Sequence, residues 1–177
     1  MTGESYVTFD RTDPRRATFA GWLQWGCKLS RATPQMRSFA KRLMDFEALS
    51  NISSVAQAAA LFPVTDKLRP HLATLMGDGG VRALLSRALV LATDEASWLE
   101  AVQVNADGGL EGFDALGSQL DPSEFVEGRV VLLAQLFGLL VAFIGPSLTS
   151  RLVGEIWPQI PLIEQGFGRK VKSEKAN

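Results

Sequence analysis

The chain has 177 residues, enough for one domain with an attached terminal arm, and carries a formal net charge of −1. A hydrophobic fraction of 46% and a charged fraction of 21% match an ordinary globular composition and exclude a chain that is disordered throughout. One cysteine, Cys27, excludes an internal disulfide and a thiolate metal cluster, so a reducing, cytoplasmic setting is the expectation. The N-terminal stretch has no apolar core behind a basic start and does not read as a secretory signal.

The small net charge conceals a segregated pattern. Residues 1–42 hold eight basic and three acidic side chains, whereas residues 94–128 hold nine acidic and no basic ones. The last nine residues hold four basic and one acidic. Such blocks complement one another within a chain or between subunits, or a basic arm meets an external anion such as nucleic acid.

Residues 1–32 form an N-terminal arm that is both basic and aromatic. Phe19, Trp22 and Trp25 lie within it, and large aromatic rings are stabilised when they pack on something. The arm therefore packs on the chain's own core or on a partner, and these three residues are candidate partner contacts.

Residues 33–165 read as a helical domain. Thr33 is a candidate N-cap and Pro34 fits a first helical position. Met36, Phe39, Ala40, Leu43 and Phe46 then recur at helical spacing to about Leu49. A short Ala-rich helix is expected over 55–62. The next runs through Leu68, Leu72 and Leu75 to Met76, with Pro70 near its start.

Gly77-Asp78-Gly79-Gly80 is expected to close that helix and open another, with Val81, Leu84, Leu85, Ala88, Leu89 and Ala92 on its inner face. Asp94 is a candidate cap for a continuation carrying Trp98, Leu99 and Val102. Alternation at 102–105 followed by Asn105-Ala106-Asp107-Gly108-Gly109 predicts a small β-hairpin near 101–113. One or two helical turns follow over Phe113–Leu120.

Asp121-Pro122 is a helix-start signal, and the apolar helix it opens runs from Pro122 to Ile144, where Gly145-Pro146 stops it. The last helix covers Ser147 to about Trp157, with Leu148, Leu152 and Ile156 on its inner face. Residues 166–177 read as a disordered basic tail. The expectation is a mainly α protein, a bundle of about six to eight helices around the 122–144 helix.

That helix has to be weighed as a membrane span. Its continuous apolar part, Val130–Ile144, is short for a hydrocarbon core, and Gln135 interrupts it. A central core helix is the reading adopted, with the membrane set aside as a partner. Ala134, Gly138 and Ala142 fall four residues apart, a spacing of small residues that admits a second helix backbone. That helix belongs either to the same domain or to a second copy in a homodimer.

No spacing of residues announces catalysis. His71 is the single histidine, and the metalloprotease, P-loop, serine-hydrolase and CxxC patterns do not occur. Neither a cofactor nor a metal is expected. The reading is a non-enzymatic helical protein–protein interaction module, an adaptor or regulatory subunit that self-associates. The alternative is a nucleic-acid-associated protein using Arg11, Arg15, Arg16, Lys28, Arg31, Arg37, Lys41 and Arg42.

Overall fold

The computed structural model describes residues 32–51 and 62–160. The arm with Phe19, Trp22 and Trp25, the expected helix over 55–62 except its last residue, and the basic tail lie outside the described residues. So do Arg11, Arg15, Arg16, Lys28 and Arg31.

Of the described residues, 78% are helical, and the fold is mainly α with one two-stranded sheet. Helix α1 spans Pro34–Asn51 and α2 spans Pro63–Thr93. A 3-10 helix at Ser97–Ala101 leads into strands β1, Gln103–Val104, and β2, Leu110–Glu111. Helices α3, Phe113–Gly117, α4, Pro122–Ile144, and α5, Pro146–Ile156, complete the described chain.

Each long helix begins where its chemistry favours a start. Thr33 Oγ1 accepts from the Met36 amide at 3.2 Å, and Pro34 needs no donor partner in the first turn. The Asp121 side chain accepts from the Ser123 amide at 2.9 Å ahead of α4, with Pro122 in its first turn. Burial against α4 then orders the rest. Phe39, Ala40 and Leu43 of α1, Leu68, Leu72, Leu85 and Ala88 of α2, and Val153 of α5 are all buried. On α4 itself every residue from Val131 to Gly138 is buried, which fits a helix apolar on nearly all sides.

The hairpin pairs Gln103 with Glu111 and Val104 with Leu110 in antiparallel register. Asn105 organises its turn. Its Oδ1 accepts from the amides of Asp107 at 3.1 Å and Gly109 at 2.7 Å. A ribbon this short needs support, and α2 supplies it: an Arg69 guanidinium nitrogen lies 3.3 Å from the Asp107 carbonyl oxygen.

The glycine-rich stretch after Met76 breaks the helical run as expected: Gly77 leaves helical geometry (φ 72°, ψ 166°), a region open to glycine, and the two helical halves of α2 meet there across a kink. Two expectations are corrected. The continuation after Asp94 is a single 3-10 stretch, although Leu99 and Val102 are buried in it as expected.

Leu148, assigned above to an inner face, is 56% exposed. Helix α4 spans Pro122–Ile144 as expected, with a polar first turn and a half ahead of its apolar run. At 23 residues it is long and apolar enough to cross a bilayer, and 61% of its most apolar window is buried in the chain.

Candidate functional site

Three arrangements of polar groups tie the bundle together. Glu47 of α1 is almost fully buried, and its carboxylate receives Lys67 Nζ at 2.7 Å from each oxygen and the indole N–H of Trp157. Gln135, buried in the middle of α4, accepts from the Ala32 amide at 3.3 Å and donates to Glu95 at 2.9 Å. The other oxygen of Glu95 is paired with Arg37.

The third arrangement is aromatic. Phe62 stacks on Phe113 with centroids 5.6 Å apart, Trp98 stacks on Phe125 at 5.5 Å, and Phe113 meets Phe125 edge-on at 6.0 Å. The Arg129 guanidinium carbon sits 5.3 Å from the Phe62 ring centroid and 5.4 Å from that of Phe125. Burial pushes the Arg129 guanidinium below its usual basicity, and its buried Nε has no acceptor among the described residues. Trp98 crosses α4 directly over Gly128, where a Cβ would stand 2.2 Å from Trp98 Cζ2.

These groups are structural in geometry: they join elements rather than open onto a cleft with converging polar atoms. Among the described residues, no set of three or more His, Cys, Asp or Glu is placed to hold a metal ion. His71 is exposed, with Nδ1 3.2 Å from the Lys67 carbonyl oxygen.

The surface offers a different kind of feature. Leu75, Phe143 and Leu148 are exposed by 59%, 74% and 56%. Leu75 and Leu148 line a groove of about 300 Å³ between the first half of α2 and the α4–α5 corner. Ile144 and Leu152 also line it, and His71, Arg151 and Glu155 supply its polar members. Phe143 stands beside Ile144 on the last turn of α4. Arg151 and Glu155 lie one turn apart on α5, with Nε and Oε1 separated by 3.3 Å.

The expected small-residue face divides along its length. Ala134 and Gly138 are buried within the chain, and the nearest side-chain and backbone atoms to a Cβ at Gly138 would be Met36 Sδ at 3.7 Å and Ala32 Cα at 3.9 Å. Ala142 alone is exposed, next to Phe143 at the corner. Of the basic residues considered for nucleic acid, Arg37 is engaged by Glu95, while Lys41 and Arg42 lie exposed on α1. All nine acidic residues between 94 and 128 are exposed.

Leu75, Phe143 and Leu148 were missed as surface residues, although a signal for Leu148 is present. It shares a helical stripe with Arg151 and Glu155 at spacings of three and seven, which marks the stripe as solvent-facing. Phe143 carries no such mark, because α4 is apolar on every side.

Comparison of the chain with protein-family models, with curated proteins and with solved structures finds no match.

Proposed function

We propose that the protein is a non-enzymatic helical interaction module, an adaptor or regulatory subunit whose working surface is the α2–α4–α5 corner. The observation that supports this reading is the pair Leu75 and Leu148, each more than half exposed, lining one groove that Ile144 and Leu152 complete. Scattered exposed leucines need no explanation, but grouped large apolar residues with a polar rim mark places where proteins meet. The rim here is His71, Arg151 and Glu155. Aromatic and aliphatic anchors of this type supply most of the binding energy at the centre of an interface.

The test is photo-crosslinking of the full chain in its host, with a photoreactive leucine analogue at position 148. Cross-links to protein, whether another molecule of this chain or a different one, are the expected result. A chain that folds normally and yields no protein adduct from position 148 overturns the reading.

A further inference from the structure

We infer that residues 17–27 of the chain's own N-terminal arm pack into a groove between α1 and the first half of α4. The groove has a volume of about 710 Å³ and lies at the opposite end of α4 from the corner described above. Pro122, Val126 and Val130 are among its apolar members, and Val126 is 42% exposed. Ser38 and Lys41 of α1 and Glu127 of α4 are polar ones.

The point where the described chain begins sets the direction of the arm. The amide of Ala32 meets Gln135 of α4 at 3.3 Å, and Ala32 lies against Gly138. Gln135 is only about 6 Å of helix beyond Val131, the near end of the groove. Residues 28–31 reach up to about 14 Å when extended, which covers that gap. From Val131 the groove follows α4 back to Pro122, a length of about 14 Å.

The composition of the arm matches this seat. Residues 17–27 carry no charge and hold Phe19, Trp22, Leu23 and Trp25. Phe19, Trp22 and Leu23 recur at helical spacing, and a helix over 17–27 measures about 16 Å. Basic residues bracket the stretch, Arg15 and Arg16 before it and Lys28 and Arg31 after it. With Ala32 fixed beside Gln135, Arg15 and Arg16 arrive at the Pro122 end of the groove. Asp121, Glu124 and Glu127 are exposed there, and no basic residue between 94 and 128 opposes them. A segment tethered this closely also has a high effective concentration at the groove.

Cys27, the only cysteine of the chain, serves as the probe. Ser38→Cys and Glu127→Cys each place a second thiol at the groove, on exposed positions. Asp78→Cys places one on α2 beside the hairpin turn, away from it. The purified full chains are oxidised mildly at micromolar concentration and followed by intact mass and non-reducing electrophoresis. A disulfide with Cys27 inside one chain is expected to form at least tenfold faster in S38C, E127C or both than in D78C. Adding Val126→Lys to the faster variant is expected to slow it at least fivefold, because a cation then meets the apolar side of the arm. A tether alone gives no such dependence on position 126. Circular dichroism establishes that each variant keeps the helical content of the wild type.

If neither groove position exceeds D78C, or if V126K leaves the rate unchanged, the groove is overturned as the seat of the arm. Disulfides that join two chains in place of one overturn the chain's own arm as the occupant. Cross-linking from position 148 tests the corner separately, at the other end of α4.

Discussion

Trp157 donates its indole N–H to the carboxylate of Glu47, 110 positions earlier in the chain, and Lys67 holds the same carboxylate at 2.7 Å. One buried anion thus joins α1, the first turn and a half of α2 and the segment that follows α5. An ionised carboxylate out of water is tolerated when its oxygens are occupied by donors, and here both are.

Removing one member of this group is expected to cost more than removing all three. Trp157→Phe keeps the ring but loses the donor, with an expected cost of about 1–2 kcal/mol. Lys67→Met leaves the anion with the indole alone and is expected to cost about 1–3 kcal/mol, moderated by the partial exposure of Lys67. The triple change Glu47→Leu, Lys67→Met and Trp157→Phe leaves no buried charge and is expected to cost less than either single change. Urea unfolding midpoints of the three proteins check the ordering.

The two glycines of α4 are expected to respond in opposite directions. Gly128→Ala drives a methyl group into Trp98 and is expected to destabilise by about 2–3 kcal/mol. A Cβ at Gly138 meets only ordinary contacts, so Gly138→Ala is expected to stabilise by about 0.5–1 kcal/mol through helix propensity. Gly138→Leu overfills the same space and is expected to cost about 1–3 kcal/mol. Thermal unfolding of the three variants separates the cases.

The ends of the elements were the most legible part of the fold. Thr33-Pro34, Asp121-Pro122 and Gly145-Pro146 each carry a local signal that owes nothing to distant residues, and the helices begin and end there. The Asn105–Gly109 turn was legible for the same reason. The break at Gly77 was legible too, because its positive φ is a conformation glycine adopts readily, and Leu72 and Val81 on either side of the kink are both buried. The exposed corner was the least legible, since exposure at Phe143 depends on where α1 and α2 stop covering α4. No local pattern encodes that.

Arg129 is expected to be dispensable for stability. Its guanidinium lies between Phe62 and Phe125, which offsets part of the cost of its desolvation, but its Nε has no acceptor among the described residues. Arg129→Met keeps the length of the side chain and removes the charge, and is expected to raise stability by about 1 kcal/mol. A loss of 2 kcal/mol or more in chemical denaturation would show that the ring contacts outweigh the desolvation.

Acid is expected to weaken the start of α4. The Asp121 carboxyl is held below its usual value of 3.8, chiefly by the Ser123 hydroxyl and then by the Ser123 amide. A carboxyl whose folded-state pKa is depressed contributes stability that is fully present above the unfolded value. That contribution is lost as pH falls through the lower, folded value. The difference in melting temperature between wild type and Asp121→Ala is therefore expected to be constant near neutrality and to shrink below pH 3.8. A difference that does not change down to the acid limit would contradict the assignment.

The amide of Gln135 has a consequence for how α4 is set within the bundle. Hydrophobic burial is nearly indifferent to the rotation of a helix that is apolar all round, because one leucine replaces another at each step of about 100°. Only one setting points this amide toward both Ala32 and Glu95. Turned elsewhere, it would be sealed in hydrocarbon with its hydrogen bonds broken. Gln135 thus works as an index mark on an otherwise featureless cylinder: it adds little to how tightly the helix is held and decides which way it faces. The orientation of Phe143 and Ala142 toward solvent, two turns further along, follows from that one polar contact.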